Sequence, residues 1–280
     1  MNVKELLPPR PDDMHKGFRG RLLIAGGSER YPGAPALSAL GALRSGAGVV
    51  TLLSIMKVCE VCASRIPEVI YCFEDDKFRW KELAFSQKNI DAVVIGPGLD
   101  ISVAAELFTS RMWREWPKKI LVDGDGLNAL ATAKEDLPLR KDAVLTPHEG
   151  EAARLLGVKP EDVKADRFYA VSELSAKWGC VVLKGHHTLV ASGEKFAEIK
   201  HGGAELSVPG SGDVLSGCIG AFLAMGLEAF DAAVLGATIH GMSGDLLARE
   251  GVDGVMATDI ANTLRKVIHA MRISKNVGKA

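Results

Sequence analysis

Short β-branched segments alternate with helical patterns along most of this 280-residue sequence. The predicted strands cover 22–27, 48–54, 69–73, 92–95, 119–122, 143–145 and 180–184, and the predicted helices cover 36–45, 57–65, 79–88, 102–112, 126–133 and 161–178. A strand–helix–strand unit returns its second strand parallel to the first. The alternation therefore predicts an α/β fold, with a mostly parallel sheet covered by helices on both faces.

The pattern changes after Lys184. Segments 188–191 and 195–199, on either side of Ser192-Gly193-Glu194, predict a hairpin, and residues 213–273 are helical in pattern. No linker-like stretch or internal repeat interrupts the sequence. We therefore expect one domain over residues 1–280, with its last helices packed on the sheet and no separate domain ahead of residue 20.

Charge and composition argue against several classes of protein. The 34 Lys and Arg residues balance 35 Asp and Glu residues and are scattered, so nucleic acid is not an expected partner. Four of the five cysteines lie in apolar-rich segments, as expected of reduced thiols in a protein core. Cys59 and Cys62 lack a second Cys or His pair at zinc-like spacing, so the sequence predicts no metal site formed by protein side chains. Without a signal-like apolar core or a segment long enough to span a bilayer, a soluble cytoplasmic protein is expected.

Residues 209–213, Pro-Gly-Ser-Gly-Asp, precede an apolar helical pattern and are typical of a phosphate-binding turn. Glycines on both sides of Ser211 allow a tight turn, and a helix that begins there has unpaired amides and a positive dipole end. Gly210, Ser211 and Gly212 are therefore a candidate anion cradle. Asp213 lies in the first helical turn, where a carboxylate can accept a proton from a hydroxyl that attacks phosphorus. The alternative is that Ser211 or Asp213 only caps the helix.

Four further predicted strands end in residues suited to binding. They are followed by Gly96-Pro97-Gly98, by Asp123-Gly124-Asp125-Gly126-Leu127-Asn128, by Thr146-Pro147-His148-Glu149-Gly150-Glu151, and by Lys184-Gly185-His186-His187-Thr188. The carboxyl ends of parallel strands meet at one edge of a sheet, where α/β proteins bind ligands. Each side chain alone has a structural explanation as a cap, a solvated turn or a lysine lying over apolar surface. Their occurrence at four strand ends favours a binding site, and it is not a P-loop because no G-x-x-x-x-G-K-[ST] motif is present.

In order along the chain, these segments resemble the ribokinase-like NAD(P)H-hydrate dehydratases, which use ADP or ATP to restore hydrated nicotinamide cofactors. The likeness also includes His15-Lys16-Gly17, Ile24-Ala25-Gly26-Gly27-Ser28, Tyr31-Pro32-Gly33-Ala34, Arg44-Ser45-Gly46-Ala47-Gly48 and His240-Gly241-Met242-Ser243-Gly244-Asp245. The resemblance implies a ribokinase-like three-layer sandwich. It also implies roles for individual residues. The hydrated nicotinamide would be contacted by Ala34, Gly98, His148 and Asp213, and Asp213 would be the catalytic carboxylate. The adenine nucleotide would be held by Lys184, Gly185, His186, His187, Thr188 and Gly212. The site would be supported by Asp123, Asn128 and Glu151.

The resemblance also implies a reaction. The terminal phosphoryl group of ADP or ATP is transferred to the C6 hydroxyl of (6S)-NADHX or NADPHX, and loss of phosphate then gives NADH or NADPH with AMP or ADP. The chemistry is reasonable because hydroxide is a poor leaving group and phosphate is a good one, and because an amide cradle stabilises the charge that develops. Mg²⁺ is expected to bridge the nucleotide oxygens, with few protein ligands. A homotetramer is implied, and a partner epimerase would be a separate chain.

Two positions depart from the family's pattern. Pro209, which contributes no N–H, stands where glycine is common, and Asp123-Gly124-Asp125-Gly126 replaces Asp-Ala-Asp-Ala. Two alternative functions remain open on the sequence. A ribokinase-like kinase of the hydroxyethylthiazole or pyridoxine type would accumulate a phosphorylated organic product. A non-catalytic nucleotide-binding protein would keep the fold without turnover.

Overall fold

A nine-stranded sheet forms the centre of the structure, a computed structural model that describes residues 2–11, 16–133 and 136–277. His15 of the segment 15–17 lies outside those residues. The strands are β1 (Arg21–Ala25), β2 (Val49–Ser54), β3 (Ile70–Phe73), β4 (Ala92–Ile95), β5 (Lys119–Val122), β6 (Ala143–Leu145), β7 (Cys180–Leu183), β8 (Thr188–Ser192) and β9 (Lys195–Ile199). Their order is β3-β2-β1-β4-β5-β6-β7-β8-β9, with β1 to β7 parallel and β8 and β9 antiparallel. The predicted parallel sheet and hairpin are confirmed.

The connections between strands are mainly helical. The helices are α1 (Ala34–Ser45), α2 (Met56–Ala63), α3 (Trp80–Ser86), α4 (Val103–Glu115), α5 (Asp125–Thr132), α6 (Glu149–Leu156), α7 (Pro160–Ala165), α8 (Arg167–Trp178), α9 (Ser211–Ala224), α10 (Ala229–Ala248) and α11 (Ala257–Val277). The helix predicted over 161–178 is divided in two, because Asp166 is not helical, with a φ of −143°, and caps α8 by accepting from the Tyr169 N–H. The pattern over 213–273 contains three helices, interrupted where Gly226 and Gly251 have positive φ.

Helices cover both faces of the sheet, so the structure has three layers. Helices α1, α2 and α9 to α11 pack on the face that carries Leu22 and Ile24 of β1. Helices α3 to α8 pack on the other face, against Leu23 and Ala25. All four of these side chains are 0% exposed, which explains why the inner strands are continuous apolar runs and do not alternate.

Small residues bring helices α1 and α9 into close contact on the first face. A Cβ on Gly217 would collide with the backbone of Ser38, and the Ser38 and Ser216 hydroxyls lie 3.2 Å apart. The small side chains of α1 are thus used in packing against another helix of the same chain. Leu37, near the start of α1, packs against Gly210, which directly precedes α9, so the first turns of the two helices lie next to each other at the carboxyl edge of the sheet.

The cysteines are unpaired thiols, and four of the five are buried. Burial raises the pKa of Cys59 to about 12 and that of Cys62 to about 11, which makes both thiols unreactive. In the described residues, no group of three or more His, Cys, Asp or Glu side chains is arranged to hold a metal ion. Nor does any described helix combine the length and apolar character needed to cross a membrane.

Candidate active site

Helix α9 begins at the carboxyl edge of the sheet with open backbone amides. Gly210, the residue before it, has a φ of 86°, a left-handed conformation that turns the chain into the helix. Within the described part of the chain, the N–H groups of Gly212 and Asp213 have no hydrogen-bond acceptor. No side chain caps this end, which excludes the reading of Ser211 or Asp213 as a simple cap. The two amides and the helix dipole can therefore bind an anion.

Ser211 does not have the role expected of it in the anion cradle. Its N–H donates to the carbonyl oxygen of Val208 at 3.2 Å, so that amide is already satisfied. Its hydroxyl lies 3.3 Å from Nε2 of His240, and the same nitrogen lies 3.1 Å from the Ser211 carbonyl oxygen. Burial lowers the pKa of His240 to about 4, so its imidazole is neutral and holds the turn as a hydrogen-bond donor. The cradle is formed by the two amides that follow Ser211.

The Asp213 carboxyl group lies at the same helix end without a partner. Among the described residues it makes no hydrogen bond and no ion pair. Burial raises the pKa of Asp213 to about 8, and the carboxylate of Asp123 acts in the same direction against the opposing charge of Lys184. A carboxyl group whose pKa lies near neutral pH can accept a proton and release it again.

Lys184 adds a positive charge beside the open amides. Its Nζ lies 2.9 Å from Oδ1 of Asp123 and 3.7 Å from Oε2 of Glu151. A Cβ placed on Gly212 would be 3.3 Å from the same nitrogen. Burial lowers the pKa of Lys184, but the charges of Asp123 and Glu151 raise it by more, so the side chain remains an ammonium ion. Lys184 can therefore contact the same anion as the amides of α9.

Asp123 fixes the position of that lysine. Strands β5 and β6 are neighbours, with Val122 paired to Leu145, so the residues that follow them are adjacent. The hydroxyl of Thr146 donates to Oδ1 of Asp123 at 2.7 Å, and Asp123 is only 2% exposed. Because an isolated buried carboxylate is strongly destabilising, Asp123 requires the nearby ammonium ion of Lys184. This geometry is consistent with a supporting role for Asp123.

His148 caps helix α6. Its Nδ1 accepts from the N–H of Gly150 at 3.0 Å and from the N–H of Glu151 at 3.3 Å. The backbone N–H of His148 donates to Oε2 of Glu151 at 2.8 Å. Burial and the charge of Lys184 lower the pKa of His148, so the ring is neutral and Nε2 carries the proton. Its side chain is 55% exposed, which leaves the ring open to a ligand.

The two other residues expected at the nicotinamide lie against each other. A Cβ on Gly98, in the loop after β4, would be 3.0 Å from Cβ of Ala34, the first residue of α1. Leu37, one turn further along α1, packs against Gly210. The loop after β4 and the first turns of α1 and α9 are thus neighbouring parts of one edge.

A cavity of about 1100 Å³ opens beside Lys184. The turn between β7 and β8 lies on one side of it, and the segment before α9 lies on the other. Five of the residues expected to hold a nucleotide line it: Lys184, Gly185, His186, Thr188 and Gly212. His187 is not among the described residues that line it, because its Nδ1 lies 2.9 Å from Oε1 of Glu198 on β9.

Arg167 holds the turn between β7 and β8, and the sequence did not identify it. Its guanidinium group donates to four carbonyl oxygens within residues 183–187, the shortest at 2.6 Å to His186. Its Nε lies 3.5 Å from Oε1 of Glu149 in α6. The local sequence signals only that a helix begins after Asp166, so this role depends on contacts between distant segments.

Asn128 connects α5 with α6 beside the site. Its Oδ1 accepts from Nε of Arg154 at 2.7 Å, and its Nδ2 lies 3.5 Å from Oδ1 of Asp125. Asp125 in turn accepts from the backbone N–H of Asp100 at 2.9 Å. These bonds keep the ends of neighbouring strands together.

The fold and site define a class of protein. A mostly parallel three-layer sheet structure, with a helix start that can bind an anion next to an unpaired carboxyl group, is the arrangement of ribokinase-like nucleotide-dependent enzymes. A family model described as NAD(P)H-hydrate dehydratase matches residues 22–266, and the chain belongs to that family.

Individual relatives agree with this assignment. The chain is 38% identical over 277 residues to the bifunctional NAD(P)H-hydrate repair enzyme Nnr of Thermofilum pendens, a match that covers 95% of this chain and 53% of that protein. It is 37% identical over 265 residues to the ADP-dependent (S)-NAD(P)H-hydrate dehydratase of Neisseria meningitidis, covering 91% and 87%. The ADP/ATP-dependent NAD(P)H-hydrate dehydratase of Bacillus subtilis, co-crystallised with ATP and Mg²⁺, superposes with a TM-score of 0.84 at 27% identity and 96% coverage of both chains. The chain spans about half the length of the first curated relatives it matches.

Proposed function

We propose that this chain is a lyase that dehydrates (6S)-NADHX and NADPHX to NADH and NADPH at the expense of ADP or ATP. The observation that carries the proposal is the placement of three groups at one helix start: the open amides of Gly212 and Asp213, the ammonium group of Lys184 and the unpaired carboxyl group of Asp213. Amides and an ammonium ion bind a phosphoryl group, and a carboxylate accepts a proton. Together they supply what phosphoryl transfer to an alcohol requires.

The reaction has two steps. In the first, the Asp213 carboxylate accepts the proton of the C6 hydroxyl while that oxygen attacks the terminal phosphorus of the nucleotide, and the bond to the leaving phosphate oxygen breaks. In the second, the ring nitrogen lone pair expels inorganic phosphate, which leaves with the C6–O bonding electrons, and C5 then loses a proton to the departing phosphate, so that the C5=C6 double bond of the dihydropyridine forms. The proton on Asp213 is released to solvent before the next turnover. The amides of α9 stabilise the charge on the phosphoryl oxygens during transfer.

We place the nucleotide in the cavity beside Lys184. Gly185, His186 and Thr188 line its wall, and Arg167 holds the backbone of that turn. The terminal phosphate would then reach Lys184 and the first turn of α9. His187 faces Glu198, so its contribution to the site is through the backbone of the turn.

We place the hydrated nicotinamide beside Asp213, against Ala34, Gly98 and His148, and His148 also lines the cavity that we assign to the nucleotide. The contact between Ala34 and Gly98 forms a surface without bulky side chains, on which a flat ring can lie. The neutral, exposed His148 ring can donate a hydrogen bond from Nε2 without adding charge.

A magnesium ion would enter with the nucleotide and would take few ligands from the described residues. Asp123 and Glu151 are directed at Lys184, and the described residues contain no cluster of three ligating side chains. Oxygens of the phosphates would therefore supply most of the coordination. When bound, the ion neutralises phosphate charge.

The test is an assay of the purified protein with hydrated NADH, Mg²⁺ and either ADP or ATP. Absorbance should return at the reduced-cofactor band together with free phosphate. A phosphorylated organic product without that absorbance would show a small-molecule kinase instead, and nucleotide binding without either product would show a non-catalytic protein. Asp213→Asn should bind nucleotide but lose turnover, whereas the exposed Asp253→Asn serves as the matched control.

We further propose that residues 1–280 form one domain that acts in the cytoplasm as a homotetramer, with small molecules as its ligands, and that it works together with an epimerase activity. The relatives called bifunctional are about twice as long as the matched region, which supports a second activity outside it. Light scattering on the purified protein measures the assembly: a mass of four subunits is expected, and a monomer at micromolar concentration would contradict it.

A further inference from the structure

A second cavity, of about 820 Å³, lies at the opposite edge of the sheet. Its walls come from the amino-terminal segment, the ends of α1 and α9 and one side of α11. The basic residues that line it are Arg10, Arg19, Arg44, Arg265, His269 and Arg272. Met225, directly after α9, also lines it, whereas the active site lies at the start of that 14-residue helix. The two cavities are therefore separated by roughly 20 Å, the length of α9.

The arginines are brought together by three separate parts of the chain. Arg265, His269 and Arg272 follow one another at helical spacing, so they share one face of α11. Arg272 is anchored by a hydrogen bond of 2.8 Å, which its Nη1 donates to the carbonyl oxygen of Pro8. Arg19 packs against Gly46, at the end of α1, where a Cβ would collide with its guanidinium group.

This concentration of positive charge is not balanced by the described surroundings. None of the described residues that line the cavity is an aspartate or a glutamate. Burial lowers the pKa of Arg19, and the charge of Arg10 lowers it further. The pKa of Arg272 is lowered in the same way, by burial and by the charges of Arg10 and Arg19. Asp12 and Asp13 follow Pro11 in sequence and lie outside the described residues. Binding is therefore measured on the 280-residue chain, which contains both carboxylates.

We propose that this cavity, which we call the arginine cavity, binds a polyphosphate anion at a site separate from the active site. Guanidinium groups bind phosphate oxygens in pairs of parallel hydrogen bonds, and five of them converge here. Phe18, Met225 and Ile268 line the same cavity and add an apolar surface. The lining thus fits a phosphorylated metabolite that has a di- or triphosphate group and an apolar or aromatic part.

The experiment is calorimetric titration of sodium tripolyphosphate, without nucleotide or divalent metal, into the purified protein. Any binding beside Lys184 is common to the parent and both variants, so comparison of the variants isolates the arginine cavity. The test variant is Arg44→Gln with Arg265→Gln, because both side chains are exposed and their loss should not unfold the protein. The matched control, Lys88→Gln with Lys266→Gln, removes the same charge at exposed positions that do not line the cavity.

We expect the parent and the control to bind tripolyphosphate with similar affinity, and the test variant to bind at least tenfold more weakly, because it lacks two charge-assisted contacts. Affinity in the parent should also fall as the salt concentration rises. Absence of binding to the parent at millimolar tripolyphosphate, or equal weakening in the test and control variants, would overturn the proposal. Failure of the dehydratase assay would leave this proposal standing, since the two sites are separate.

Discussion

Asp213→Asn should stabilise the protein at alkaline pH while it removes turnover. The pKa of this carboxyl group rises on folding from 3.8 to about 8, chiefly through burial. The folded state therefore holds the proton more tightly than the unfolded state, and the parent loses stability as the pH rises from about 4 through about 8. Asparagine has nearly the same shape as the protonated carboxyl group and never becomes charged, so the variant avoids that loss.

The size of the effect follows from the same pKa. A rise from 3.8 to about 8 corresponds to about 6 kcal/mol once the group is fully ionised. The side chain retains some contact with water, so we halve this figure to about 3 kcal/mol to allow for solvent screening. For a chain of 280 residues, this difference shifts the melting temperature by about 5 °C.

Thermal unfolding of parent and variant should be followed by circular dichroism at pH 6 and pH 9.5. At pH 6, about halfway between the two pKa values, the variant should already melt about 2–3 °C higher than the parent, and at pH 9.5 it should melt about 5 °C higher. Asp253→Asn, at an exposed loop position, should show no such divergence. If Asp213→Asn gains no stability relative to the parent between the two pH values, the carboxyl group is not desolvated and the argument for its proton affinity fails.

Turnover of the parent should rise through about pH 8, and that rise should be absent in the variant.

Three other substitutions test the framework of the site. Lys184→Met should lower the free energy of unfolding by about 3–5 kcal/mol because it leaves Asp123 buried without a counter-charge. In denaturant titrations, the double variant with Asp123→Asn should recover part of that lost stability. Gly217→Ala should lower the free energy of unfolding by about 1–3 kcal/mol through collision with Ser38, so an unchanged melting temperature would refute the close α1–α9 packing. Arg167→Lys should weaken ADP binding about tenfold by releasing the carbonyl oxygens of residues 183–187, with Arg111→Lys as the control, and equal affinities would show that the turn is held by other contacts.

Much of the site was predictable because its residues follow strands. Apolar runs locate the strand ends, and parallel strands place those ends at one edge, so the polar residues after β5, β6 and β7 were expected to meet. Asp123 and Lys184 do meet, although 61 residues separate them. The precise pairing was not predictable, because sequence order does not say which strand lies beside which. The order β4-β5-β6-β7 decides that.

The roles of Ser211, His187 and Arg167 show where local reasoning stops. The residues around Ser211 indicated an open amide, but the preceding turn directs its N–H to Val208. His187 lies in a segment suited to phosphate, but the hairpin brings Glu198 opposite its ring. Arg167 has no local signal for its role, because the carbonyl oxygens that it holds lie on a different strand end.

The sequence by itself determined the alternation of strands and helices, the tight glycine turn before α9 and the presence of a carboxyl group in the first turn of that helix. Hydrophobic periodicity and glycine conformation are properties of neighbouring residues, and they act whatever the rest of the chain does. The tertiary structure alone decided the proton affinity of Asp213, the charge balance around Lys184 and the gathering of arginines at the far end of α9. Those properties depend on burial and on charges that approach from distant segments, and only packing brings them together.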